Sequence, residues 1–509
     1  MNNKQLNNKT IAKNTLFLYF RMMFIMAVSL YTSRVVLQTL GVVDYGVYNV
    51  VGGIVALFGF LTGPMAGATQ RYITFALGKG NLKRLNEIFS TCINIYIIAS
   101  GILLLLCETL GVWFLFNRLQ IPDTRLLTAF WVFQSSVISA IIILLTVPFN
   151  AEIIAHEKMS AFAFISIFEV IGKLGVVFLL KIICYDKLLL YAIMMLIIQS
   201  LTCLCYVIYC RYHFEESKYH FCWNKDLCKD IASFAGWSLF GNLAAVGYSQ
   251  GLNILLNMFF GPIVNTARGV AVQVQSAVCQ FVTNFQTAIN PQITKSYAMG
   301  DMSYMLKLVE QSSRLSFYLI YILSFPVLVE TDFILKLWLG NVPDYTIVFL
   351  RIILMTTWIV SLANPLVVSV LATGKIQRYQ QIVGCVLLSI VPFSYLFLKL
   401  GYPPQSVFWV HLVIEIIAHI IRLFILNRLI GISISSYFTN VVIKIFIVSI
   451  LIIPLPLFVS YNMDEGFSRF LLVSITSMVS AFFSLLYYGL TRKESEFIMN
   501  KVKQVFYKQ

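Results

Sequence analysis

Three groups of ionisable side chains stand where the sequence is otherwise apolar, and each suggests a chemistry. Arg21 and Arg34 interrupt the first apolar run. Arg268 stands near the start of the eighth, followed by Gln275 and Gln286, while Asn242, Ser249, Asn253 and Asn257 form a polar stripe on the seventh. A charge at mid-membrane costs about 2.5–3.5 kcal/mol on insertion scales, so each needs a partner or water. A guanidinium offers a planar fork of donors that fits phosphate oxygens bidentately. Arginines flanked by amides therefore fit a wet, cationic cavity for an anion, although the same amides also serve as hydrogen bonds between helices. The twelfth run carries His411, Glu415, His419 and Arg422 at angular offsets of about 0°, 40°, 80° and 20°, one stripe of a helix. His and Glu titrate near neutral pH when perturbed. The stripe is either a coupling site for a proton or another cation, or a self-paired polar face between helices. Glu169 and Lys173, four apart in the fifth run, can neutralise each other and read as mainly structural.

The elements that must hold these residues are membrane helices. Of 509 residues, 59% are hydrophobic and 12% charged, about half the charge of a soluble protein, and the mean hydropathy is +0.83. Such a chain folded in water would expose very large apolar patches, whereas a bilayer requires them. Runs long enough to span are centred near Ala27, Val55, Ile102, Ser136, Val170 and Met195, then Ala245, Ala277, Leu319, Thr357, Val386 and Glu415, then Val448 and Met478. The expectation is an all-α, polytopic membrane protein of about 14 transmembrane helices. It divides into an N-terminal six-helix lobe over 1–213, a cytoplasmic linker over 214–230, a C-terminal six-helix lobe over 231–430, two additional helices over 431–491 and a basic tail over 492–509. The first run, about Asn14 to Gly41, is too long and too charged for a cleavable signal peptide. Thirteen residues separate Arg21 from Arg34, a net rotation of about 220°, so the two need not face one lumen, and Arg34 can snorkel to the outer interface.

Charge sets the orientation. The net charge is +15, which membrane proteins place in cytoplasmic loops, so it gives no reason to invoke nucleic acid. Starting inside, alternate loops collect Lys79, Lys83, Arg84, Lys158, Arg211, Lys218, Lys307 and Lys375 against Arg118, Arg125, Lys187, Lys336 and Lys399. Over the whole chain the bias is about three to one, which predicts both termini cytoplasmic in a cell membrane. Thr69-Gln70 and Phe75-Ala76-Leu77-Gly78-Lys79 recur as Pro291-Gln292 and Tyr297-Ala298-Met299-Gly300-Asp301 at an offset of 222 residues. Six helices lie between the copies, so the repeat is parallel and predicts lobes related by a pseudo-two-fold axis along the membrane normal, a transporter architecture. Gly52, Gly53, Gly59, Gly63, Pro64 and Gly67 make the second run deformable and closely packable.

The ten cysteines lie mostly inside apolar runs and form no secreted disulfide framework. The spacing of His213, His220, Cys222 and Cys228 matches no common zinc pattern, so no metal is expected. Phosphate loop, dinucleotide fingerprint and nucleophile elbow are all missing from the sequence. The chain is not expected to be an enzyme or to hold a cofactor. Energy would come from an ion gradient (H+ or Na+), the membrane potential or consumption of product.

The stretch Asn14-Thr15-Leu16-Phe17-Leu18-Tyr19-Phe20-Arg21, then Ser29-Leu30-Tyr31-Thr32-Ser33-Arg34-Val35-Val36-Leu37, then Leu40-Gly41-Val42-Val43-Asp44-Tyr45-Gly46-Val47-Tyr48-Asn49, resembles bacterial polysaccharide-export proteins. These are the O-antigen and capsule flippases of the multidrug/oligosaccharidyl-lipid/polysaccharide superfamily. Ala68-Thr69-Gln70-Arg71 followed by Gly78 is also similar. The likeness is strongest over the first hundred residues, and the six-plus-six-plus-two layout extends it. The resemblance implies export of an undecaprenyl-pyrophosphate-linked oligosaccharide, a lipopolysaccharide or capsule repeat unit, to the outer leaflet. Membrane lipids and a glycan polymerase or other assembly proteins would be its partners. Related lipid flippases place arginines on their first and eighth helices, where Arg21 and Arg268 stand here, and the two last helices would shape a groove for the lipid tail. A cation-coupled multidrug exporter of the same superfamily is the alternative. Such exporters usually carry an acidic residue in the first or seventh helix, where this chain has arginines and amides. A non-transporting scaffold is a further alternative, and the short outer loops count against a polymerase or ligase.

Overall fold

A helix satisfies its own backbone hydrogen bonds inside a bilayer, and long apolar runs without strand alternation fold that way. The computed structural model describes residues 3–56, 62–117, 123–182, 186–222, 224–491 and 495–496, with the side chains of 3–13 and of scattered positions up to 56 outside the described set. Every regular element among the described residues is helical. We number the main helices α1 Asn3–Ala56, α2 Thr62–Lys79, α3 Leu82–Asn117, α4 Leu126–Ala155, α5 Met159–Ile182, α6 Lys187–His213, α7 Lys225–Phe260 and α8 Pro262–Ala298. Then follow α9 Met302–Val329, the short α10 Thr331–Leu339, α11 Thr346–Thr373, α12 Gln377–Lys399, α13 Ser406–Ile430, α14 Ile434–Asn462 and α15 Phe467–Gly489. Among the described residues, eleven are long and apolar enough to cross a membrane. The 37-residue α8 falls outside that set because Arg268 and its Gln and Asn residues dilute the apolar content. In their described residues the fourteen apolar runs of the sequence fall on helices, with 57–61 of the second run outside the described set, and α10 lies between the ninth and tenth. The chain is an all-α, multi-pass membrane protein.

Local chemistry starts and stops these helices. Asn81, Asp186 and Asp301 cap α3, α6 and α9, their side chains accepting from the amides of Arg84, Leu188 and Tyr304 at 3.0, 3.2 and 3.0 Å. Within α1, Gly41 has φ 79° and ψ 169°. Only glycine adopts this conformation readily, so α1 breaks there and the first two apolar runs turn into one another.

Contacts group the chain into two units, Met1–Leu243 with Thr287–Gly300, and Ala244–Gln286 with Asp301–Gln509. The division falls inside α7 and α8 and does not follow the 214–230 stretch. That stretch is no loose tether: Asn86 Nδ2 donates to the Glu216 and Lys218 carbonyls, both at 2.8 Å, and Asn94 Nδ2 to the Cys222 carbonyl at 2.9 Å, so 216–222 is pinned along α3. The first unit is built on a dry cluster of Val47, Val51, Tyr96, Leu103, Leu115, Phe133 and Leu188. The repeated motif also meets itself there. Phe75 and Tyr297, equivalent positions of the two copies, have ring centroids 6.3 Å apart. A Cβ on Gly78 would sit 2.7 Å from Ala298 Cβ and 3.0 Å from the Lys295 carbonyl, so only glycine permits this approach of α2 to α8. The second unit packs α9, α11 and α13 through Tyr321–Trp358 and Phe349–Phe408, with centroids 4.8 and 4.5 Å apart. Outward faces carry exposed Leu105, Phe164, Ile171, Ile416, Phe424 and Phe446, the surface a bilayer requires.

Candidate functional site

In the first unit α1, α5 and α6 enclose a cavity of about 410 Å³. Apolar walls (Ile25, Val28, Val36, Val170, Met195) alternate with hydroxyls (Ser29, Thr32, Tyr48, Ser166, Tyr191), and the ionisable residues are Arg21, Glu169 and Lys173. The Arg21 guanidinium lies over the Phe162 ring at 4.3 Å. Stacking fixes one face of the fork and leaves its edge for hydrogen bonds. Arg21 Nε is buried without a partner among the described residues. The carboxylate acting on Arg21 is Glu169, and Glu169 Oε1 already accepts from Lys173 Nζ at 2.5 Å. Two cations therefore share one anion, and the three leave a net positive charge on the wall.

The second unit repeats that arithmetic with other residues. Arg268 on α8 is 7% exposed. It donates to Asn253 Oδ1, to the Ser249 carbonyl at 2.9 Å and to Ser249 Oγ at 3.1 Å, all on α7. These partners are neutral, so the guanidinium is solvated by the protein but keeps its charge. On α13 Glu415 accepts from Arg422 at 3.2 Å and has His411 Nε2 at 3.9 Å. Tyr248 joins the two groups: its ring stands 5.0 Å from that of His411, and its hydroxyl lies in the fields of Glu415, Arg422 and Arg268. Tyr379 on α12 hydrogen-bonds Arg422. Here again two arginines share one carboxylate. Glu415, His419 and Arg422 are 3%, 8% and 5% exposed, so the stripe is buried inside the unit.

The residues singled out by sequence separate accordingly. Arg21 lines a cavity. Arg268, Asn253, Ser249, His411, Glu415 and Arg422 belong to one cluster, which the sequence presented as two unrelated features. The polar face of α8 mainly bonds helices together. Gln275 donates to Thr357 Oγ1 at 2.8 Å, and Gln286 to Ser316 Oγ and the Ser361 carbonyl, both at 3.1 Å. Asn242 is half-buried on the portion of α7 in the first unit. His419 has neither ring nitrogen hydrogen-bonded and packs against Tyr437 with centroids 5.9 Å apart. The Arg34 side chain lies outside the described residues. Asp44, part of the family-like opening segment, accepts from Arg125 at 2.8 Å, and Arg125 also bonds Asp186 at 3.0 Å. This clamp holds the segment after the Gly41 break to the starts of α4 and α6.

Sequence reasoning missed Tyr248 and Tyr379, whose residue type carries no periodic signal, and read Glu169–Lys173 as mainly structural. The pair does form, and it also lines the Arg21 cavity. His213 and His220 turn to the Tyr209 and Lys218 carbonyls at 3.0 and 2.9 Å.

No protein-family model and no curated protein matches the chain. Solved structures do. An outward-facing multidrug resistance MATE family transporter of the MOP superfamily superposes with a TM-score of 0.70 at 12% identity, covering 85% of this chain and 96% of that one. A MATE protein in its straight conformation gives 0.69 at 14% identity, with 85% and 97% covered. The MATE transporter ClbM in complex with Rb+ gives 0.67 at 13%, with 84% and 96% covered. The chain has the fold of these transporters.

Proposed function

We propose that the chain is a transporter that moves the anionic headgroup of a lipid-linked oligosaccharide, an undecaprenyl-pyrophosphate repeat unit, to the outer leaflet by alternating access. The observation that carries this reading is the Arg21 cavity. Its one carboxylate is held by Lys173, and its walls alternate hydroxyls with apolar side chains, a composition suited to a pyrophosphate and the first sugar. The uncompensated Arg268 charge supports it, since a wet or anion-lined path is where such a charge is tolerated. Both termini face the cytoplasm of a cell membrane in this reading, and His411, Glu415 and His419 are the groups through which a proton or sodium ion would couple. The chain acts without a catalytic centre of its own, alongside membrane lipids and glycan-assembly proteins.

A second reading is favoured by the fold likeness: a cation-coupled exporter of cationic compounds. It requires a carboxylate able to leave its internal partner, and Glu169 and Glu415 are the candidates. One experiment separates the two. Cells lacking the chain are extracted for polyprenyl lipids and challenged with cationic dyes. Accumulation of pyrophosphate-linked repeat units in the inner leaflet, with loss of surface glycan, upholds the flippase. Unchanged lipid-linked glycan with new dye sensitivity replaces it with the exporter.

A further inference from the structure

The end of the first unit that carries the α4–α5 turn holds a cluster unrelated to the cavity. Glu152 sits in the last turn of α4, His156 follows one turn later, and Glu216 lies in the one-turn helix Glu215–Ser217. One ligand atom from each lies within 4.8 Å of the others. Four residues apart on a helix, Glu152 and His156 share a face, and the third group arrives from a separate segment pinned by Asn86.

The electrostatics of this cluster are incomplete. Glu152 and Glu216 are 0% and 6% exposed. Glu152 lies in the field of Glu216, and the other side chains acting on the pair are His156, Ser217 and Cys210, none a lysine or arginine. Ser217 Oγ donates to Glu152 Oε2 at 2.8 Å, and His156 Nε2 meets Glu216 Oε1 at 2.6 Å. Glu152 Oε1 is buried without a hydrogen bond of good geometry among the described residues, and the neighbouring Cys210 thiol donates to the Phe149 carbonyl at 3.4 Å. Two buried carboxyl groups with one imidazole between them and an unpartnered oxygen form a donor set that a bound cation would satisfy.

We propose that Glu152, His156 and Glu216 bind a divalent transition-metal ion, zinc the first candidate, and that the ion staples the 214–217 segment to the end of α4. One imidazole and two carboxylates are a zinc-type donor set with a fourth position left for water or for the Cys210 sulfur. His156 ligates through the Nε2 lone pair, so the metal takes the place of the hydrogen between His156 and Glu216, with the ring hydrogen carried on Nδ1. The ring is already oriented, stacked on Phe214 with centroids 4.0 Å apart, which lowers the ordering cost of binding.

The test uses the full chain, purified in detergent, stripped with chelator and titrated with Zn2+ against a chromophoric competitor. Metal content after dialysis and the visible spectrum of the Co2+-loaded protein are read in parallel. One equivalent is expected to bind, with a Co2+ spectrum of low coordination number. His156→Ala and the near-isosteric Glu216→Gln should each weaken binding by at least about tenfold, while His220→Ala in the nearby loop should leave it unchanged. Size-exclusion profiles verify that the variants remain folded. Failure of the unsubstituted protein to bind one equivalent, or unchanged affinity in folded Glu216→Gln, overturns the proposal.

Discussion

Replacing Arg21 tests the cationic cavity most directly, because the structure separates its cost to the fold from its cost to binding. In the fold the guanidinium makes one stacking contact, with Phe162 at 4.3 Å, worth about 0.5–2 kcal/mol. Removing a partly desolvated charge offsets part of that loss, and Glu169 keeps Lys173 at 2.5 Å. Arg21→Ala should therefore insert and fold nearly as the original does. Binding is another matter. A bidentate grip on a phosphate supplies two charge-assisted hydrogen bonds at about 1.5–3 kcal/mol each. Their loss amounts to ~3–6 kcal/mol, or about a hundredfold to ten-thousandfold in affinity. Arg21→Lys keeps the charge but loses the fork, and should fall between. The assay is complementation of surface glycan in deletion cells, normalised to the amount of protein in the membrane, with binding of a short-chain polyprenyl pyrophosphate to the purified variants. Normal complementation by Arg21→Ala at normal abundance would refute the reasoning. So would a loss that merely tracks a fall in protein level.

Arg268→Ala should abolish transport while membrane insertion stays intact, since its partners Asn253 and Ser249 are neutral and tolerate its absence better than a carboxylate would; membrane abundance and flipping are measured side by side. Glu415→Gln leaves Arg422 and Arg268 buried without a counter-charge and should destabilise the second unit by about 3–5 kcal/mol, read as a lower thermal midpoint in detergent, with partial recovery in Glu415→Gln/Arg422→Leu. Gly78→Val should cost about 1–3 kcal/mol by overpacking α2 on α8, where a Cβ would meet Ala298 Cβ at 2.7 Å; melting of the purified variant checks it. Asp44→Asn weakens the 2.8 Å bond to Arg125 and should speed hydrogen exchange in the segment after Gly41 without altering α9 or α11.

The helices were legible because bilayer thickness forces length and hydropathy to agree, so the apolar runs are helical wherever they are described. The Gly41 break was not: glycine is common in membrane helices, and only the backbone angles distinguish a turn from close packing. The α8 stripe illustrates a second limit. Sequence spacing correctly put Gln275 and Gln286 near one face, but spacing cannot say whether a face meets water or another helix. Thr357, Ser316 and Ser361, tens of residues away, answer that. The Arg268–Glu415 cluster was invisible for the same reason. Its members lie on α7, α8, α12 and α13, and the link is a tyrosine whose residue type announces nothing. The Glu152–His156 spacing could have been noticed as an i,i+4 pair at a helix end, but its third member is fixed only by the pinning of 214–217.

The two polar clusters share a charge arithmetic that bears on which substrate the fold carries. In each unit one carboxylate is matched by a cation on its own helix, Glu169 by Lys173 and Glu415 by Arg422. In each, a further arginine from another helix, Arg21 or Arg268, has no carboxylate of its own. A coupling ion or cationic compound competing for either carboxylate must displace a permanent internal partner and leave it unpaired in a low-dielectric interior, at a cost of several kcal/mol. An anion displaces nothing. It meets an arginine already desolvated and already oriented by a ring or by neutral acceptors, so the ordering cost is largely met before it arrives. Entry of an anion also relieves the excess positive charge of the cluster, whereas entry of a cation increases it.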